Sequence, residues 1–257
     1  MSDSLDALDA LDALELSVTR LRSLIDGLSE DQYVTSAHPT EWTVADVMSH
    51  IGSAAIIFKH GIEDALEDRA TPPEFNQSVW DVWNAKTPHA QITDALDADQ
   101  ALIARLLAMT PSEREHYKLN QGPMTFDFDR AVRLRLAEHV VHTWDIEEAF
   151  NVRATLQSEA VPLLIDNLQL LVRFGAKPTE NEHTLHIRTT DPQREFALGQ
   201  STDGVTLEVV DGVENFDLEL PSEAFLRLAY GRLDEKHTPD GIDPTHLDEL
   251  RRVFPGI

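Results

Sequence analysis

The spacing of apolar residues changes once along this chain, and that change limits the fold more than any other feature. From the N-terminus to about residue 152, apolar residues recur every three or four positions with almost no β-branched alternation, which predicts helix. From about residue 183 the spacing drops to two, which predicts strand. A chain of 257 residues with 42% apolar content can bury a separate core on each side of such a change. The expected fold is a two-domain α plus α+β protein. A four-helix bundle over residues 1–153 precedes a small α+β domain with an antiparallel sheet over residues 154–257.

Four helices are expected in the first half, at roughly 5–28, 43–67, 92–109 and 128–150. The first opens on an LDA triplet repeated from Leu5 to Ala13, whose period of three drifts around a 3.6-residue helix and reads as a solvated extension. The second starts at Thr43, which has capping-box spacing to Asp46, and carries Val44, Val47, Ile51, Ala54 and Phe58 on its apolar side. Trp80 and Trp83 read as packing residues, and Pro111 closes the third helix. In the second half, a helix at 157–174 leads into strands at 183–190, 194–198, 204–210 and 215–220, separated by Asp-Pro and Asp-Gly turns. Helices at 221–230 and 244–253 complete the chain.

Composition narrows the function. Against 46 acidic residues stand 21 Lys and Arg, a formal charge of −25, so the long-range field repels phosphate backbones and anionic headgroups. There is no cysteine, which removes disulfides, thiolate metal sites and a cysteine nucleophile; any sulfur chemistry needs a thiol from outside. No run of about 18 apolar residues occurs and the N-terminus lacks a signal-peptide pattern, so a soluble cytoplasmic protein is expected, with no nucleic-acid or membrane partner. No phosphate loop or dinucleotide fingerprint is present, and the Asp-Gly pairs at 203–204 and 211–212 are turn chemistry. His183 and His186 have no convincing ligand spacing to a carboxylate.

The segment AEHVVHTWDIEEAF places Glu138 and His142 four apart, about 40° of helix rotation, with Asp145 three further on. All three fall on one side with Ala131, Leu134, Val141 and Ala149, a stripe expected to face the bundle core. A buried carboxylate and imidazole need partners. Glu and His at this spacing can share one tetrahedral zinc and leave room for a third ligand, or they can simply form an intrahelical pair. His50, among Val47, Ala54 and Ile57 on the second helix, is the candidate third ligand; a core histidine bonded to a carbonyl is the alternative. His139, about 100° from Glu138, reads as a surface or packing residue. Asp145 can orient His142, steer a proton, or pair with Arg135 or Arg133.

WTVADVMSHIG (42–52) followed some 85 residues later by EHVVHTWDI (138–146) resembles the mycothiol-dependent maleylpyruvate isomerase family, whose first domain is related to DinB-like metal-binding bundles. The resemblance extends through SEAFLRLAYGRLD and the Phe-Pro-Gly terminus. It implies a divalent metal, usually zinc, held at the positions matching His50, Glu138 and His142, and mycothiol as thiol cofactor. It also matches Arg232 of YGRLD to the family's Gly-Arg position. A guanidinium there suits a substrate carboxylate, with an isolated surface arginine as the plainer reading and the placing of mycothiol by this domain as another.

These readings imply an enzyme that activates a thiol on a metal for attack on a small electrophile. Addition and elimination across a cis double bond makes an isomerase, and retention of the adduct makes an S-transferase. The partners expected are the electrophile and a low-molecular-weight thiol, with the chain a monomer or homodimer. A bundle enzyme using metal-bound water and a non-catalytic binding protein are the competing classes. Imidazole and carboxylate ligands also accept nickel, iron or manganese.

Overall fold

The computed structural model describes all residues except 1–2, 39–40, 122–123, 181 and 257, with backbone but not side chains for 3–9 and 120–121. The chain forms two compact units, residues 1–154 and 155–257.

The first unit contains α1 (Asp3–Asp26), α2 (Val44–Leu66), α3 (Phe75–Asn84), α4 (Pro88–Ala108), α5 (Pro111–His116), the hairpin β1 (Leu119–Gln121) and β2 (Met124–Phe126), and α6 (Phe128–Glu148). Helices α1, α2, α4 and α6 form the four-helix bundle, with α2 against α4 and α1 against α6 as its two broad faces. Leu14 and Leu21 of α1 are at most 1% exposed, and burial of each contributes roughly 1.5–3 kcal/mol relative to a solvated side chain.

The expected solvated extension is corrected here. Ala10, Leu11 and Ala13 of the LDA repeat are buried, because a period of three still returns an apolar residue to the core side within each turn; Leu5 to Asp9 lie outside the described side chains. Pro111 does not merely close α4: it occupies the first turn of α5, whose Thr110 cap accepts a hydrogen bond from the Glu113 amide.

Glycine decides one contact. A Cβ on Gly52 of α2 would lie 2.3 Å from the Trp83 ring and 2.8 Å from the Ala95 Cα, so only a residue without a side chain lets α2 approach α4 beneath the indole. Trp83 is buried as expected, with the Lys86 ammonium 3.5 Å over its ring, whereas Trp80 is 41% exposed and packs little.

The second unit begins with α7 (Val161–Ile165) and α8 (Leu168–Gly175), two short helices where the periodicity suggested one. Then come β3 (His183–Thr190), β4 (Arg194–Ser201), β5 (Gly204–Val209), β6 (Leu218–Pro221), α9 (Ser222–Ala229) and α10 (Leu247–Val253). Strand order is β5-β4-β3-β6. The inward residues alternate as the pattern requires, with Leu185, Ile187, Phe196, Leu198, Val205, Leu207, Leu218 and Leu220 all buried.

The sheet is mixed, not antiparallel. β6 pairs parallel to β3, Ile187 opposite Leu218 and Thr189 opposite Leu220, because residues 210–217 carry the chain from the β5 edge to the opposite edge instead of turning it back. The helix α9 covers this side, with the rings of Phe196 and Phe225 5.7 Å apart. Among the described residues no helix is long and apolar enough to cross a membrane.

Candidate metal centre

The Thr43 cap sets the phase of α2. Its hydroxyl accepts from the Asp46 amide at 3.2 Å while Asp46 accepts from the Thr43 amide at 2.9 Å, the reciprocal box expected from the spacing. The loop leading to the cap is held by Ala37 N–H to the Trp42 carbonyl (2.8 Å), Val44 N–H to Thr35 (2.9 Å) and His38 N–H to the Asp145 carbonyl (3.1 Å). The last of these ties the loop to α6.

The structure brings the three expected ligand residues together. His50 Nε2 lies 3.3 Å from Glu138 Oε2, and His142 Nε2 lies 3.7 Å from the same oxygen. One ligand atom from each residue falls within 4.8 Å of the others. Two ligands at zinc bond lengths in tetrahedral geometry sit about 3.3–3.6 Å apart, so the two imidazole nitrogens, on different helices, and the one carboxylate fit a divalent ion with little movement. Among the described residues this is the one set of three histidines or carboxylates whose ligand atoms converge. His183 and His186, expected to have no convincing ligand spacing to a carboxylate, face Glu249 at 3.4 Å and Asp217 at 3.9 Å, and among the described residues no third ligand joins either pair.

The expected burial of this stripe needs correction. Asp145 is 0% and His142 9% exposed, but the Glu138 side chain is 48% exposed and His50 is half-buried. The core side of α6 is instead the row Val132, Leu136, His139, Thr143 and Ile146. The ligand stripe lies along its border, where an ion and a small molecule can reach it.

Hydrogen bonding sets the state of each group. Asp145 Oδ2 accepts from His142 Nδ1 at 2.8 Å, which leaves Nε2 as the lone-pair nitrogen toward Glu138. Arg135 and Arg133, the alternative partners for Asp145, are directed to Asp99 and Asp129. Desolvation opposes charge on Glu138, but His142 and His50 outweigh it and hold the carboxyl far below the usual carboxylate range. For His142 desolvation again opposes charge, and the hydrogen bonds that its protonated ring donates to Asp145 and Glu138 outweigh it and raise its proton affinity.

Two features lay outside the sequence reading. The Trp42 indole is centred 5.4 Å from the His50 ring and 6.1 Å from the His142 ring, nearly parallel to the latter at 23°. The signal was available: an aromatic residue immediately before a helix cap commonly folds back over the first turn. The second is a buried network one step around α6. Asp99 accepts from Arg135 Nη2 at 2.6 Å and faces His139 Nε2 at 3.0 Å; Ser17 Oγ meets His139 Nδ1 at 2.7 Å, and Arg135 also donates to the Ile51 carbonyl at 3.0 Å. His139 is therefore a fully buried polar residue, not a surface one, and the network joins all four bundle helices.

Arg232 lies in the second unit, 4% exposed rather than on the surface. Its Nη1 donates to the Tyr230 carbonyl at 2.6 Å. Gly231 before it has φ +74°, and a Cβ there would meet Gly256 at 2.4 Å, so the Gly-Arg pair packs directly on the Pro-Gly terminus. Arg227, at a different angle on α9, makes a two-pronged bond to Glu223 at 2.7 and 2.9 Å.

Comparison with known proteins agrees with this architecture. Residues 14–147, just over half of the chain, match the family described as mycothiol maleylpyruvate isomerase N-terminal domain. A crystal structure of the mycothiol-dependent maleylpyruvate isomerase superposes with TM-score 0.66 at 14% identity, covering 92% of this chain and 91% of that one. A structure of that isomerase with a histidine replaced by alanine gives TM-score 0.65 at 13% identity, covering 88% and 89%. At such identities these likenesses establish the fold. No curated protein matches the sequence significantly. On the match across its first unit, the chain belongs to the mycothiol maleylpyruvate isomerase family.

Proposed function

We propose that this chain is a metal-dependent enzyme that uses mycothiol to attack a small electrophile, as a cis/trans isomerase or a thiol S-transferase working in the cytoplasm. The observation that carries the proposal is the convergence of His50, Glu138 and His142 within 4.8 Å from two helices. The ion, zinc by the preference of this donor set, would lower the pKa of a thiol so that it reacts as thiolate near neutral pH. The residues prepare for that chemistry. Asp145 accepts the hydrogen bond from His142 Nδ1 and fixes the ring with Nε2 toward the ion, while Trp42 limits rotation of both imidazoles. Glu138 stays ionised and supplies the one negative ligand.

We assign Arg232 a substrate-carboxylate role on the strength of its Gly-Arg motif alone. An Arg232→Lys variant tests this assignment: it should fold as the parent does and raise KM for a carboxylate substrate about tenfold or more, through loss of the two-pronged bond. The central test is His50→Ala. Metal uptake, read by calorimetry, and thiol-dependent turnover should vanish together while helicity stays unchanged. Retention of both removes His50 from the site.

A further inference from the structure

Helices α2 and α6 carry the three ligands, yet they are not broad packing partners. The bundle has two layers, α2 against α4 and α1 against α6, and α2 meets α6 along a narrow seam. His50 therefore stands on one layer, and Glu138 and His142 on the other. Direct contact between them is loose, with the two imidazole nitrogens 3.3 and 3.7 Å from Glu138 Oε2. The register of the layers at this level needs another tie.

Arg135 supplies it. This residue lies one turn before Glu138 on α6 and is 3% exposed. Its Nη2 donates to Asp99 Oδ1 on α4 at 2.6 Å and to the Ile51 carbonyl on α2 at 3.0 Å, so one guanidinium nitrogen pins α6 to both helices of the opposite layer. Ile51 directly follows His50. Contacts from two adjacent residues of α2 to successive turns of α6 fix the offset of the helices along their axes as well as their separation. Beyond His142, the His38 N–H bond to the Asp145 carbonyl ties the loop before α2 to α6, so the ligand set lies between two anchors. Asp99 is itself held, its Oδ2 facing His139 Nε2 at 3.0 Å, and it matches the charge of Arg135, so a guanidinium can sit one turn from an ion with its own charge cancelled.

Stability alone does not call for this arrangement. The Arg135 Nε is buried without a hydrogen-bond partner, and a buried ion pair commonly holds a fold no better than apolar side chains of similar volume. Apolar side chains could not bond to a carbonyl beside a ligand. Resting on the metal site of the function proposed above, we propose that Arg135 is a positioning residue for that site. It sets the spacing of His50 from Glu138 and His142, and with it the affinity and coordination geometry of the ion.

A double variant, Asp99→Asn with Arg135→Met, tests this, because it removes both charges together, keeps an acceptor for His139 and loses the bond to Ile51. In urea unfolding without metal it should be more stable than Asp99→Asn alone. Its affinity for Zn2+, read by competition with a chelator, should fall at least tenfold, and the visible bands of bound Co2+ should differ from those of the parent. Leu21→Ala, which opens a cavity in the α1 core, should lower stability and leave affinity and spectrum as in the parent. Arg135→Lys keeps a cation against Asp99 on a shorter stem and should weaken Zn2+ binding at least threefold, whether or not the double variant folds. Parent-like affinity and spectrum in Arg135→Lys or in the folded double variant, or an equal loss of affinity in Leu21→Ala, overturns the inference and leaves the metal site standing. Parent protein that takes up no metal removes the proposed function and the inference with it.

Discussion

Two histidine–carboxylate clusters sit on neighbouring stripes of α6, and their difference separates architecture from chemistry. Asp99, Arg135 and His139 are at most 3% exposed, and the carboxylate already has a guanidinium beside it. His50, Glu138 and His142 stand at the border of the bundle, with one carboxylate, two imidazoles and no guanidinium. A buried cluster that contains its own cation has its carboxylate matched within the fold, and it joins α1, α2, α4 and α6. The border cluster leaves nitrogen and oxygen lone pairs aimed at a common point, and a divalent cation is what completes it.

Variants can break this contrast, the largest effect first. Asp99→Asn leaves Arg135 with an uncompensated buried charge and should destabilise the fold by about 3–5 kcal/mol in urea unfolding. Desolvation opposes charge on Asp99, but His139 and Arg135 outweigh it and keep its folded pKa depressed. Its stabilisation is therefore fully present above the ordinary carboxylate pKa and is lost as pH falls through the depressed value. Acid unfolding of the parent should show that loss, and Asp99→Asn should lack it. Asp145→Asn should cost less stability than Asp99→Asn and weaken metal affinity about 10–100-fold, read by competition with a chelator.

Acidity sharpens the same contrast. The metal needs neutral His142, whose proton affinity is raised, so metal affinity should fall about tenfold per pH unit below that raised value, beginning above the ordinary imidazole pKa. A pH-independent affinity would remove His142 from the ligand set. The smallest effect on stability is expected from Glu138→Gln, about 1 kcal/mol in thermal unfolding of metal-free protein, because two imidazoles favour the carboxylate but half of this side chain is solvated.

The sequence made the border cluster more legible than the buried one. Thr43 and the three- and four-residue spacings placed His50, Glu138 and His142 on helices of known phase, and the family motifs paired them. Asp99 looked like one more charge in an acidic chain. It nevertheless falls on the stripe of Ile92, Leu96, Leu102 and Leu106, and a lone carboxylate on an apolar stripe signals a buried partner. His139, read as a surface or packing residue, was not seen as part of a buried polar network because Ala131, Leu134 and Val141 suggested a core stripe one position away from the real one. The parallel pairing of β6 was hidden for a different reason: alternation shows that a segment is a strand and which face is inward, but not which edge it joins. Partners 30 to 40 residues apart leave no local mark, which is why Asp99–Arg135 and β3–β6 emerged only from the folded chain.

Gly52 leaves the two sides of α2 with unequal freedom to evolve. Facing roughly opposite to His50, it admits the Trp83 ring at a separation that even one methyl group would prevent. Substitutions on the outward face can retune which molecule is accepted without disturbing how the helices nest. Inheritance of the scaffold is thus anchored by an omitted carbon, and novelty can accumulate one half-turn away.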